Sequence, residues 1–320
     1  MDFSPSVYEH AARVIGRTPW EVSRDSDLLF EAHQEAFRLY HHMPIAVGID
    51  IYNLEAEAYG APVDKPSGAG IPAISRHIRS TAREVVQLAD FDPKHSGRMP
   101  MVIQVGVRLA QALPEADVRI PVSGPFSLAS NLLGFDNLLC DILTDPDAVA
   151  GALQYLVRGQ IAFCEEIVRQ GLDIAFFESA ATPPLISPKT FEEIELPALK
   201  AIIKGAADVV GHPVPCIIGG DTQPILDAIL ETGTGYVICP AETNQRRFME
   251  KMAAHPNVMV RINMRPETLT SGDLEIVYME ADRVLACTEG REKICIGTGA
   301  LPYEVDPEIV LKAQAYVRRK

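Results

Sequence analysis

The sequence predicts an α/β protein of the (β/α)8 TIM-type barrel class with an N-terminal helical extension. Three observations predict it. Short runs rich in Val and Ile recur along the chain, and runs apolar throughout are expected of parallel strands buried on both faces. Between them lie longer stretches with helix start and stop signals. The length, 320 residues, suits one such barrel with insertions. Seven strands are legible and an eighth is not, which leaves a doubly wound open sheet as the alternative architecture.

In chain order, residues 1–44 read as the helical extension of a single domain spanning 1–320. The strands read "IAVGID" 45–50, "DVRIPV" 117–122, "DIAFFE" 173–178, "VPCII" 214–218, "GYVIC" 235–239, "VMVRIN" 258–263 and "KICIG" 293–297. The Pro/Gly-rich stretch "GAPVDKPSGAGIPAI" 60–74 is the most loop-like segment, and a loop after the first legible strand is placed to cover an active site. "TDPDAV" opens a long helix with an acidic, Pro-containing turn, and Gly171 stops it just past a basic one. Ser187 with Pro188 opens the next helix as N-cap and first helical residue. In "DTQPILDAILETG" Asp221 or Thr222 caps and Gly233 stops, and Asp306 opens the last helix.

Composition excludes several function classes. The formal charge is −14, from 29 Lys+Arg against 43 Asp+Glu, and no basic run exceeds the terminal "RRK", so there is no electrostatic footprint for nucleic acid. The first twenty residues carry neither a basic stretch before an apolar core nor a bilayer-length apolar run, which points away from membranes and toward a cytoplasmic location. None of the six cysteines forms a C-x-x-C pair, excluding zinc-ribbon and thioredoxin-like motifs and leaving most of them as small buried hydrophobes.

In a barrel, the residues that follow each strand converge on one mouth. Here they are Asp50, Asn53, Glu55 and Glu57, then "SGPFSLAS" 123–130, Glu178, Asp221, Glu242, Asn263, Arg265 and "GTGALP" 297–302, a strongly acidic set. Glu178 is the leading catalytic candidate, since "DIAFFE" ends a strand on a carboxylate; the bland alternative is a structural Glu bonded to backbone N–H groups. Glu57 and Asp50 are further catalytic candidates. Asn53 and Glu57 share a helix face at i, i+4, which favours Glu57 over Glu55, while Asp50 and Asp221 also suit helix capping. Asn53, Asp221, Cys239, Glu242, Asn263 and Arg265 are candidates for substrate binding. Gly297, Thr298 and Gly299 leave room for a bulky planar cofactor, although a plain glycine turn explains them equally. For a metal, Glu178, Asp221 and Cys239 are the weak candidates; Cys216 and Cys239 have no partner at ligand spacing, and His212 sits in a helix-to-strand turn at the barrel bottom.

"PVSGPFSLASNLLGFDNLLCDILTDPDAV", "ISPKTFEEIELPALKAI", "GGDTQPILDAILETG" and "GTGALPYEVDPEIV", in that order, resemble successive landmarks of the uroporphyrinogen decarboxylase superfamily, from about residue 45 to the C-terminus. The resemblance implies one of two activities. The haem-synthesis decarboxylases carry an N-terminal Arg-rich segment of the type "RQAGRY"; here Arg13, Arg17, Arg24 and Arg38 are scattered, and an acidic mouth would repel a polyacidic substrate. The other branch comprises cobalamin-dependent methyltransferases. Its thiol-methylating members hold zinc with a His-x-Cys pair and a further Cys; here the pair's positions read Ile217-Ile218-Gly219, and "GTGALP" has no Cys. Two Glu and one His, proposed for aromatic O-demethylases, would here be Glu178, Glu193 and His212, with a poor gap between the last two.

The segment Asp50 to Glu57 is similar to the "D-x-Y-N-x-E-A-E" type of O-demethylase methyltransferase components. The resemblance thus implies methyl transfer from a small methylated substrate, such as an aromatic methyl ether, to cob(I)alamin on a partner corrinoid protein. An aryloxide leaving group calls for a general acid or a Lewis-acid metal, and clustered carboxylates are one source of a raised pKa. Members of the superfamily often pair, so a homodimer is a further expectation. A decarboxylase and a non-catalytic substrate- or corrinoid-binding protein are the rival readings.

Overall fold

The structure, a computed structural model, describes residues 1–320. Its eight strands are β1 (Phe3–Ser6), β2 (Ile45–Ala46), β3 (Val118–Ser123), β4 (Asp173–Glu178), β5 (Pro215–Ile218), β6 (Tyr236–Cys239), β7 (Met259–Met264) and β8 (Ile294–Ala300). They pair in parallel as one sheet in the order β1-β8-β7-β6-β5-β4-β3-β2, with helices between successive strands. This is the (β/α)8 barrel, and β2 to β8 are the seven runs legible in the sequence. No helix is long and apolar enough to cross a membrane.

The eighth strand lies at the very start of the chain. The expected helical extension instead opens with β1, which pairs with β8 through Phe3 opposite Ile296 and Ser4 opposite Gly297; the helices Glu9–Val14, Pro19–Arg24 and Ser26–Tyr40 come only afterwards. "FSPS" escapes a strand reading because Pro5 lacks an N–H and the serines break the apolar run. Its position at the end of the ladder explains why a proline is tolerated. The two ladder ends, β1 and the segment leading into β2, are joined by side chains. Ser4 Oγ donates to the Met43 carbonyl at 2.6 Å and accepts from the Met43 N–H at 2.9 Å. Gln314 of the last helix donates to the carbonyls of Tyr40 at 2.6 Å and Phe3 at 3.4 Å. The buried Gln314 amide and its carbonyl partners would cost about 1–3 kcal/mol each if left unpaired.

Most of the apolar core fills the space between sheet and helices, in one cluster of 83 buried residues. Inside the barrel there is only a six-residue cluster, Ala46, Ile51, Ala175, Phe177, Ile217 and Ile238, with Tyr8, Tyr52 and Tyr236 against it. The barrel interior therefore has room for polar groups and a cavity.

Several helix ends match the expected chemistry. Ser187 Oγ accepts from Thr190 N at 3.0 Å, and Asp306 accepts from Glu308 N at 2.9 Å. The Ser187 helix is interrupted by one π-helical turn, Phe191–Glu195, before running on to Val210. After β5 the expected cap is absent. Asp221 accepts instead from Thr243 Oγ1 at 2.7 Å, the Thr222 hydroxyl has no partner, and a 3-10 turn, Gln223–Ile225, intervenes. The glycine pair before it has a physical cause at Gly220: its φ is +83°, and a Cβ there would lie 2.4 Å from Thr182 Oγ1.

Candidate active site

A cavity of about 300 Å³ opens where the strands end, the side on which barrel enzymes place their chemistry. Its deeper wall is one inward-facing tier. Phe177 of β4 stands opposite Ile217 of β5, and Ile238 of β6 opposite Arg261 of β7; all four line the cavity. Side chains two apart share a strand face, so Asn263 lines it one step nearer the mouth. Glu242, exposed, lies at the rim, and Gly299 comes from β8. Ser6, Tyr8 and Glu9 enter from the end of β1. Ile71 and Pro72 of the Pro/Gly-rich loop reach over the top, and the Pro72 carbonyl accepts from Asn53 Nδ2 at 2.8 Å.

The same alternation moves the leading sequence candidate out of the cavity. Ala175 and Phe177 face inward, so Glu178 faces the helix layer and does not line the cavity. Its carboxylate is held by Ser127 N at 3.1 Å, Ser179 N at 2.9 Å, Ala180 N at 3.0 Å and the Ser127 hydroxyl. It thereby satisfies the Ser127 N–H in the first turn of the helix Pro125–Leu133 and two N–H groups just after β4, and a Cβ on Gly124 would collide with it. Burial pushes its carboxyl upward, against the pull of those donors. Beside it Glu195, in the π-helical turn, is wholly buried with both oxygens unpartnered. Burial first, and the Glu178 charge second, raise its carboxyl well above the ordinary range, so Glu195 is held as the neutral acid.

Asp50 and Glu57 are also committed elsewhere. Arg98 Nη1 and Nη2 bind both Asp50 oxygens at 2.7 and 2.6 Å, while Arg98 Nε and Arg24 Nη1 each reach Glu57 at 2.6 Å. Asn53 Nδ2 adds a bond to Asp50 at 2.9 Å. Asn53 and Glu57 do share a side, as their spacing suggests, but it is the side of an ion network. Asp50 and Asn53 still border the cavity; Glu57 does not. Glu55 turns to β3, accepting from Ser123 N at 2.7 Å and Ser123 Oγ at 2.9 Å, and burial pushes its carboxyl up to about 7.

The remaining candidates divide in the same way. Asn263, Glu242 and Gly299 line the cavity, whereas Asp221, Cys239 and Arg265 do not. Cys239 is wholly buried against the helix layer, which drives its thiol upward and makes it a poor ligand or nucleophile. Arg265 is exposed at the start of the helix Pro266–Thr270. "GTGALP", read from the sequence as following the last strand, is still strand as far as Ala300. There Thr298 Oγ1 accepts from Ser6 N at 3.1 Å, tying β8 to β1, and Gly297 makes room for Arg261, whose Cδ would lie 2.5 Å from a Cβ.

Sequence reasoning missed Glu9, Tyr8 and Arg261. Glu9 is buried, and burial, with a smaller push from Glu304, raises its carboxyl to about 7. The first two were lost with β1. The signal for Arg261 was a lone basic residue two before Asn263 in "VMVRIN".

Zinc does not fit the residues present. Ile217 and Gly219 occupy the cavity wall where the His-x-Cys pair is expected. Cys216 and Cys239 belong to the outer apolar cluster, and nowhere do three His, Cys, Asp or Glu side chains converge as ligands. Glu193 forms an ion pair with Lys189, and His212 Nε2 lies 3.2 Å from an Asp173 carboxylate oxygen, so the two-Glu, one-His set is not assembled either.

Comparisons with known proteins agree with this architecture. A solved methyltransferase from Methanosarcina mazei superposes with a TM-score of 0.82 at 21% identity, covering 99% of this chain and 91% of that one. Uroporphyrinogen decarboxylase 2, chloroplastic, of Arabidopsis thaliana is 24% identical over 87% of this chain and 70% of its own length. The methylcobamide:CoM methyltransferase MtaA of Methanosarcina barkeri is 25% identical over 64% of this chain and 59% of its own. The family model described as uroporphyrinogen decarboxylase (URO-D) matches residues 5–319, nearly the whole chain, and the protein belongs to that family.

Proposed function

We propose that this URO-D family member is a methyltransferase that takes a methyl group from a small substrate held in the barrel mouth and passes it to a corrinoid carried by a partner protein. The observation that carries the reading is the cavity itself. It measures about 300 Å³ and has one cationic side chain, Arg261, among its lining residues. That volume is at the lower end for small-molecule pockets, and one cation is a poor match for a tetrapyrrole with eight carboxylates. The kinship with a methylcobamide methyltransferase supports the same branch. An aromatic methyl ether is the donor class that an apolar wall of Phe177, Ile217 and Ile238 favours.

A reduced corrinoid, presented at the mouth, would supply the nucleophile. This chain's residues would do the rest. The donor's carbon–heteroatom bond breaks, the methyl leaves without the bonding pair, and the heteroatom keeps that pair and needs a proton. Glu9, half protonated near neutrality, is placed to give it. The apolar tier and the 60–74 loop would keep water from the methyl group.

The test is anaerobic: purified protein, reduced cobalamin, and in turn methoxyphenols, methylamines and methyl thiols, with the cob(I)alamin absorbance followed. Loss of the band with methoxyphenols is expected. Turnover of uroporphyrinogen with no such loss would instead establish the decarboxylase.

A further inference from the structure

Methyl transfer alone does not account for Arg261. The residue is 4% exposed, its Nε has no hydrogen-bond partner, and the groups nearest its charge are Tyr236, Tyr8 and Cys295, with no carboxylate among them. The other buried arginine, Arg98, is paired: it holds Asp50 and Glu57. A guanidinium stays charged when buried, and an unpaired buried charge costs several kcal/mol. The chain nevertheless makes room for it, with Gly297 opposite its side chain. It is aimed into the cavity from a tier whose other members are apolar. Asn263, one step nearer the mouth and 2% exposed, likewise leaves its Oδ1 unpartnered.

We infer that the methylated substrate is a carboxylic acid whose carboxylate docks on Arg261, with its apolar body against Phe177, Ile217 and Ile238 and its methyl-bearing end toward the mouth. This rests on the proposed methyltransferase reading of the cavity. A carboxylate matches the planar guanidinium fork, which a spherical ammonium would not offer. Anchoring the charged end deep in the barrel leaves the opposite end of the molecule exposed to an incoming acceptor, so the anchor also sets which end reacts.

The test is calorimetric binding of two shape-matched probes, 4-methoxybenzoate and the neutral 4-methoxybenzamide, to the wild-type protein. A charge-assisted contact in a desolvated site predicts that the acid binds roughly 10- to 100-fold more tightly. Arg261→Met should bring the acid down to the level of the amide, and Arg261→Lys should keep part of the preference. Equal wild-type affinities, no binding of either probe, or an acid affinity unchanged in Arg261→Met would overturn the inference. The wild-type comparison decides even where a variant folds poorly. If the acid is preferred but cob(I)alamin is not consumed with it, the carboxylate site stands and the methyltransferase reading falls. If cob(I)alamin is consumed only with neutral donors, the reverse holds.

Discussion

Replacing Arg98 by methionine tests the ion network under the site. Arg98 and Asp50 have side chains only 10% and 1% exposed, and Glu57 and Arg24 are 16% and 25% exposed. Two cations therefore face two anions in a largely dry setting. Arg98→Met keeps much of the side-chain volume but leaves Asp50 with only the Asn53 amide and the cluster with one uncompensated negative charge. Removing one partner of a buried pair costs about 3–5 kcal/mol. At about 2 °C per kcal/mol for a chain of this size, the melting temperature should fall by roughly 6–10 °C. In urea the midpoint should drop with the slope unchanged, since the folded surface is not being enlarged. Adding Asp50→Asn to Arg98→Met restores neutrality, so a thermodynamic cycle should return at least about 1 kcal/mol of coupling. A single variant that loses less than about 1 kcal/mol, or a double variant whose losses simply add, would refute the view that charge compensation holds these groups.

Glu195 is a neutral acid in the fold with a raised carboxyl, so its stabilising effect is complete below the unfolded value and lost as pH rises toward the folded one; Glu195→Gln should gain on the wild type by up to about 1.4 kcal/mol per pH unit above about pH 4.5, and a pH-independent difference in denaturation midpoints would contradict this. Gly297→Ala must displace Arg261 and the Ser4 carbonyl, 2.8 Å from the added carbon, so a loss of about 1–3 kcal/mol is expected in thermal melts. On the proposed reaction, the rate should fall as pH rises through about 7, where Glu9 loses its proton, and Glu9→Gln should flatten that limb of the profile; an unchanged limb would remove Glu9 as the acid. Ser4→Ala removes the buried hydroxyl that pairs with the Met43 N–H and carbonyl at the partly buried seam, for a cost of about 0.5–1.5 kcal/mol in the same melts.

The strands β2 to β8 are legible because parallel strands buried on both faces must be apolar throughout, and short Val and Ile runs bounded by turn residues fit little else. β1 is not, because "FSPS" at a ladder end contributes only Phe3 to the apolar core, and its Ser4, with Gln314 of the last helix, completes the seam through side-chain hydrogen bonds. That omission also removes Ser6, Tyr8 and Glu9 from the expected mouth. Glu178 is located correctly at a strand end, but its facing depends on parity: Phe177 takes the inward position and the next residue cannot. Asp50 and Glu57 pass for free carboxylates because their partner Arg98 lies 48 and 41 residues away, a pairing that local spacing does not encode.

These misplacements bear on substrate charge. In a chain of formal charge −14, counting every acid near the mouth as a free negative charge weighs against any carboxylated substrate. The fold changes that count. Asp50 and Glu57 are neutralised by Arg98 and Arg24, Glu178 faces the helix layer, and Glu9 is about half protonated near neutrality. What remains is Glu242 at the exposed rim and about half a negative charge on Glu9, against Arg261 in the buried tier. A charge at the rim is screened by water and salt within roughly 10 Å, whereas a desolvated one keeps much more of its Coulomb energy, so the deeper cation wins. One arginine can balance one carboxylate; it cannot balance eight. On the proposed reading, the local field would admit a small monocarboxylate and still disfavour the polyacidic tetrapyrrole, for a reason different from the one the overall charge suggests.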